Sequence, residues 1–258
     1  MKKTALIIVL LPSIVLAIPS KKSIRQEMIT QQMAVLAKEG VVIPGSGVTL
    51  VSEEELNIPI WIREKMLSDL RQKEKLGYRK EEISRAIELL SYKKRADKQF
   101  KHQADSLESW NTRLRPKISD LKLAYPYHGV PMADITHFIG IAPVGKYTRK
   151  GWSGAIEYFD TSFASCAYTE KNLQITKGAS RVNKDSVTYK VNGKITLLDI
   201  IGTDAGGYLY QTTWFDDHFE RALECANMTY LPKITEELIE LAKRIDNNQE
   251  EGDDLFGR

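Results

Sequence analysis

Two of the four histidines in this 258-residue chain fall in YHGVPMADITHF, residues 127–138, which brings His128, Asp134 and His137 close together in sequence. Imidazole nitrogens and carboxylate oxygens are ligands that suit zinc, so the stretch raises the question of a metal centre. The spacing selects no known site. His128 and His137 are nine positions apart, which fits neither the i, i+4 helical pair of zinc peptidases nor a finger. A third ligand, His218 or Asp216, would have to arrive through the fold. Set among tyrosines and prolines, the two histidines read first as packing and hydrogen-bonding groups of an ordered connector, with a metal site as the alternative. No cofactor is expected.

Cys166 and Cys225 are the only cysteines. In an exported chain an even pair is most simply a disulfide, and closing a loop of about 60 residues stabilises a fold by about 4 kcal/mol in the chain-entropy model. The competing reading makes Cys166 a nucleophile, with His218 to generate the thiolate and Asp216 to orient the imidazole. Cysteine hydrolases directed at cell-wall peptides combine these residue types, but in an Asp-Cys-Ser-Gly-like turn at a helix N-terminus. Here the cysteine lies in SFASCAYTE, which alternates like a strand. Other signatures are missing: there is no Gly-x-Ser-x-Gly elbow and no Walker loop, and GTDAGG lacks the lysine of a phosphate cradle. Asp216 and Asp217 are neighbours that a strand would point to opposite faces, so they make no glycosidase dyad.

The elements that must position these groups begin with an address. Met1-Lys2-Lys3 followed by an apolar run to Leu16 reads as a signal peptide over residues 1–17, cleaved after Ala17. Without Lys2 and Lys3 the chain keeps 35 basic residues against 34 acidic ones, a net charge of +1. Nucleic-acid binding wants an excess of Lys and Arg, so that class of partner is not expected. Nor is a membrane span expected after cleavage.

Residues 18–115 are rich in Glu, Lys, Arg, Gln, Leu and Ile, a helix-favouring composition. The pattern predicts a helix over Ser23–Glu39, a small hairpin or extended arm over Val41–Val51, a capping box at Ser52-Glu53-Glu54-Glu55, and a helix from Pro59 that stops at Gly77. A third helix, from Lys80 to about Arg113, has apolar ends and a charged waist at Lys93-Lys94-Arg95. Such a helix projects, pairs with another chain, or bends into a helical hairpin.

Residues 116–150 carry the prolines and glycines of a connector. From Gly151 the sequence turns to short aromatic and β-branched segments: Trp152–Phe159, Ser162–Thr169, Ser186–Val191, Lys194–Ile201 and Tyr208–Phe215. Asn192-Gly193 between two of them is the strongest local signal, because a type I′ turn needs positive φ at both centres. The β-rich domain, residues 151–246, should close with a helix over Thr235–Ile245, and residues 247–258 read as a flexible acidic tail.

The expected fold class is α+β: a helical N-terminal half, then an antiparallel β-sandwich or partly open β-barrel with a C-terminal helix. This build suggests an exported, non-enzymatic structural or interaction protein of a bacterial envelope assembly such as a secretion system. It would be periplasmic or secreted, associated with the outer membrane through partners. Those partners would be other envelope proteins, with self-association through the N-terminal helices. The alternatives are a cell-wall-directed cysteine hydrolase and a periplasmic ligand-binding protein.

Overall fold

Asn192 and Gly193 adopt φ of 46° and 81°, the positive pair that a two-residue hairpin demands. Across this turn Tyr189–Val191 pairs antiparallel with the strand that begins at Lys194. Other local signals are also realised. Ser52 N–H donates to Glu55 Oε2 at 2.6 Å and Glu55 N–H to Ser52 Oγ at 3.3 Å, the reciprocal bonds of a capping box. The helix after Pro59 ends where Gly77, at φ 81°, turns its N–H back to the Lys73 carbonyl.

A computed structural model describes residues 47–56, 59–102, 114–187 and 189–255. The signal peptide expected over residues 1–17, the helix expected over residues 23–39, residues 41–46 of the expected hairpin or arm and the end of the third helix lie outside the described residues. In chain order the elements are β1 (Gly47–Val51), a helical turn (Glu53–Leu56), α1 (Ile60–Leu76), β2 (Arg79–Lys80) and α2 (Ser84–His102). Next come β3 (His137–Thr148), β4 (Gly151–Asp160), β5 (Ser165–Asn172) and a second helical turn (Leu173–Thr176). The chain then forms β6 (Ala179–Asn183), β7 (Tyr189–Val191), β8 (Lys194–Thr203), β9 (Gly207–Phe215), β10 (Phe219–Asn227) and α3 (Pro232–Leu255).

The main sheet runs β2-β8-β9-β10-β5-β4-β3, with β7 also on β8. Its neighbours are antiparallel except β2 and β8. β1 and β6 form a separate parallel pair. The sandwich expected from sequence would need a second sheet opposite the first, and helices take that place. Along the register, Phe159, Cys166, Cys225, Tyr210 and Ile200 lie side by side across five strands. α3 covers that face with Ile234, Leu238, Leu241, Ala242 and Ile245, all buried. Their spacing is the apolar stripe of an amphipathic helix. Burying each Leu or Ile contributes roughly 1.5–3 kcal/mol. The opposite face meets α2 through Ala86, Leu89 and Ala96, which pack with Ile139, Ala142, Ala167, Leu209 and Ala226. Tyr92 of α2 stacks on Tyr158 of β4, with ring centroids 3.7 Å apart.

Two regions differ from the sequence expectation. About a third of the supposed connector is β3, whose Pro143 lies on the edge strand of the sheet. Its Gly140 and Gly145 take positive φ at two register shifts. An edge tolerates proline and a bulge wants glycine, so the same residues serve a bulged strand as well as a loop. α3 in turn continues to Leu255, through most of the supposed tail.

Cys166 and Cys225 are bonded across β5 and β10. Replacing both by alanine is expected to cost about 2–5 kcal/mol of unfolding free energy. Denaturant titration of the oxidised protein and the double variant measures it, and a loss below about 1 kcal/mol would show that packing alone holds the two strands.

Candidate functional site

The structure does not bring the nucleophile candidates together. Cys166 is in the disulfide and buried in the core. His218 sits in the β9–β10 turn, where its carbonyl accepts from Leu173 N–H at 2.7 Å. Leu173 follows the end of β5, seven positions from Cys166, which is roughly 20 Å along an extended chain. Asp216 turns to Arg221 and to the N–H groups of His218 and Phe219. The metal reading fares no better on geometry. Among the described residues no three His, Cys, Asp or Glu side chains converge on a point that could hold an ion.

What YHGVPMADITHF does is strap the sheet to α3. Tyr127, Val130 and Ile135 pack into the α3-side core. Asp134 pairs with Arg244 of α3 at 2.9 Å, and Asn248 donates to the carbonyls of His128 and Gly129. Gly129, at φ +65°, passes directly over the carboxylate of Glu157, and any side chain at residue 129 would collide with it.

Beneath the strap lies a buried polar network that composition gave no hint of. Glu157 of β4, Glu170 of β5 and Arg221 of β10 share the face that α3 covers, and all three are buried. Arg221 Nε donates to Glu170 Oε2 at 2.9 Å, and the Tyr168 hydroxyl donates to the same oxygen at 2.7 Å. Arg221 also pairs with Asp216, and its guanidinium lies 3.8 Å from Asp246 of α3. Asp246 accepts from Trp214 Nε1 at 3.1 Å, Asn192 Nδ2 at 3.0 Å and Lys194 Nζ at 2.7 Å. The hairpin turn, the sheet and the last helix are thus tied to one another by charge-assisted bonds.

Burial works against the Arg221 charge, but Tyr168, Glu170 and Asp216 outweigh it and hold the guanidinium more firmly protonated than usual. Burial likewise raises Glu170, with Arg221 and Tyr168 opposing. Glu157 is the least compensated. Burial pushes its carboxyl up to about 7, the Glu170 charge adds to this, and Tyr127 and Val130 N–H oppose. Val130 N–H reaches Oε2 at 3.2 Å, whereas Oε1 and the Tyr127 hydroxyl have no well-aligned partner among the described residues. The signal that could have found this network is period two. Glu157, Glu170 and Arg221 each stand two residues from a buried apolar or aromatic neighbour on the same face: Phe159, Tyr168 and Leu223. Its centre, Glu157, Glu170, Arg221 and Asp246, is buried between sheet and helix.

The accessible candidate lies on the other side of the sheet. α1 has no buried residue, and Ile60, Trp61 and Leu70 are 73%, 67% and 53% exposed. Salt bridges join it to β8: Lys73 Nζ lies 2.7 Å from Asp199, which Arg79 of β2 also reaches at 3.0 Å. Beside these bridges a cleft of about 650 Å³ opens between Leu70 and Lys73 of α1 and Leu197–Ile200 of β8. A smaller one of about 320 Å³ shares Leu70, Lys73 and Asp199 and extends to Arg63 and Asp69. Exposed large apolar side chains on a helix beside a cleft are the kind of feature that takes a partner. No protein-family description, curated protein or solved structure matches this chain.

The raised Glu157 carboxyl has a definite consequence for stability. The folded state holds this proton up to about pH 7, and the unfolded chain releases it near its ordinary value of 4.5. Its contribution is therefore fully present below about pH 4.5 and is lost as pH rises through 7, a swing of roughly 3 kcal/mol at most. Glu157→Gln removes the titration, so the stability of the variant relative to wild type should climb between pH 5 and pH 8. Denaturation curves of both proteins across that range measure it; parallel profiles would place the Glu157 charge in water. Arg221→Met is expected to cost roughly 3–5 kcal/mol, because it leaves Glu170 buried without its cation.

Proposed function

We propose that the protein acts after export as a non-enzymatic interaction component of a bacterial envelope assembly, such as a secretion system, with α1 and its cleft as the contacting surface. The observation that carries this reading is α1 itself, a 17-residue helix that buries no residue of its own and leaves Ile60, Trp61, Leu67 and Leu70 exposed. A lone helix of this length gains little from its own hydrogen bonds. Exposed leucines lining a cleft, with an exposed tryptophan on the same helix, suit the anchor positions of an interface.

The address is supported by the disulfide, which forms and persists in oxidising compartments. Among the described residues no helix is long and apolar enough to cross a membrane. Export to the periplasm is supported by the leader-like sequence of residues 1–17, and association with the outer membrane through partners is part of the proposal. The cleft of about 650 Å³ also favours a second reading, a periplasmic ligand-binding protein.

Affinity purification after detergent extraction distinguishes them. The assembly reading expects envelope proteins at fixed stoichiometry, with recovery reduced at least about tenfold by Trp61→Ala combined with Leu67→Asp. Recovery of the protein alone, with a small molecule released on denaturation, would replace it with the ligand-binding reading. Rapid alkylation of Cys166 in the native, unreduced protein would instead reopen the cysteine-hydrolase reading.

A further inference from the structure

The hairpin that joins β3 to β4 carries Lys146, Arg149 and Lys150 within residues 146–150, all of them exposed. Residues 121–124 lie against it. Trp152 N–H donates to the Lys122 carbonyl and Ala124 N–H to the Trp152 carbonyl, both at 2.9 Å. Gly151, at φ +134°, permits this approach, because a side chain there would collide with the Lys122 carbonyl. The exposed Lys122 is thereby brought to the same tip, its Nζ 3.5 Å from the Arg149 carbonyl. Ile118 and Trp152 pack on one small core of Leu121, Ile141 and Ala155, which brings in Lys117 and Asp120 as well. The tip is held in place by its own bonds. Lys146 N–H donates to Oγ of the buried Ser153 at 2.7 Å, and Thr148 Oγ1 donates to the Gly151 carbonyl at 3.0 Å while accepting from Lys150 N–H at 3.2 Å.

Residues 117–122 and 146–150 together hold five cations and one carboxylate, Asp120. No salt bridge joins any of the five to a carboxylate among the described residues, whereas Lys73, Arg79, Arg85, Lys171, Arg221 and Arg244 are each paired. Residues 18–258 are only +1 overall, so the positive charge is gathered at this tip and the remainder is net acidic. Four of the five cations are lysine. Packed protein interfaces are depleted in lysine and favour arginine, whose planar fork grips carboxylates in pairs of bonds. A lysine ammonium is a hydrated point charge that suits a diffuse layer of phosphates. Between the cations, Tyr147 and Trp152 face each other across the hairpin, with ring centroids 5.2 Å apart and Tyr147 56% exposed. Tyrosine and tryptophan are the side chains that settle at lipid headgroup level, ring towards the acyl chains and polar tip in water.

We propose that the β3–β4 hairpin, with residues 117–122 beside it, is a peripheral contact for an anionic phospholipid surface. The cations lie over the headgroup phosphates, and Tyr147 and Trp152 enter at headgroup level. β3 and β4 stand at the opposite end of the strand order from β2 and β8, to which α1 is joined by its salt bridges. One edge of the sheet meets lipid while the other is left for a partner, so this contact does not depend on the α1 surface.

The test uses the full chain, processed as in the cell, and co-sedimentation with vesicles of phosphatidylcholine with or without about 30% phosphatidylglycerol. At about 0.1 M salt, binding to the anionic vesicles should exceed binding to the neutral ones about tenfold or more, and about 0.5 M salt should remove most of the excess. Lys150→Gln should weaken binding about threefold or more, and Lys146→Gln combined with Lys150→Gln about tenfold or more. Lys233→Gln removes the same charge from an exposed position at the start of α3, at the other end of the strands, and should change binding less than about twofold. Tyr147→Ser, which leaves the charge unchanged, should weaken it about threefold. Equal binding to both kinds of vesicle overturns the proposal, as does an equal loss with Lys233→Gln, which would make the attraction one of net charge alone. Soluble polyphosphate bound as tightly as the vesicles, with Tyr147→Ser without effect on either, overturns it in favour of a general polyanion site. An envelope protein recovered with wild type and lost with the double lysine variant, in the absence of vesicle binding, overturns it in favour of a protein partner.

Discussion

The pairing of β5 with β10 holds this structure together. It is the junction between two antiparallel runs, β3-β4-β5 and β8-β9-β10, that are contiguous in sequence within themselves and distant from each other. Because side chains alternate across a sheet, a slip of one residue at this junction would turn every group of one run to the wrong face. Two contacts oppose the slip. Cys166 and Cys225 are bonded directly across it, and four residues further along Glu170 faces Arg221. One is covalent and the other depends on charge in a buried setting, so each specifies the register independently.

That ion pair carries a cost that shapes what surrounds it. A guanidinium and a carboxylate removed from water lose several kcal/mol of solvation each, and their attraction offsets this only when the remaining donors and acceptors are met. Arg221 accordingly reaches Asp216 as well as Glu170, and Asp246 collects Trp214, Asn192 and Lys194. Through these bonds the β7–β8 hairpin turn and α3 are positioned by the same charges that fix the sheet. Glu157 has the poorest compensation, under a strap that leaves one of its oxygens unmatched, and it is the group whose carboxyl is pushed up to about 7. The histidine-bearing stretch therefore matters for covering a carboxylate and meeting α3, through Val130, Gly129 and Asp134.

The two faces of the sheet divide the work. The α3 face is closed by aromatic rings, the disulfide and the ion network. The other is closed by α2 over part of its width, and beyond it α1 stands off at the level of salt bridges from Lys73 and Arg79 to Asp199. Partly exposed ion pairs hold a helix loosely compared with a buried apolar stripe. An accessible cleft remains beneath α1, and the proposed function rests on it.

Where a few adjacent residues determine conformation, the sequence is legible. Asn192-Gly193 makes its turn because those two residues tolerate positive φ, Ser52 and Glu55 cap each other, and Gly77 ends α1; the disulfide is legible for another reason, because the chain has two cysteines and they can pair only with each other. Elsewhere local chemistry has more than one use. Pro143, Gly140 and Gly145 suit a loop or a bulged edge strand, and only pairing with β4 decides between them. On α2 the apolar Ile87 is exposed, while Ala86 and Leu89 face the sheet. The meeting of Glu157, Glu170, Arg221 and Asp246 joins residues from four elements. Turns and caps are set by backbone preferences that adjacent residues carry. Burial and ion pairing are set by which distant segments come together, and only the tertiary structure decides that.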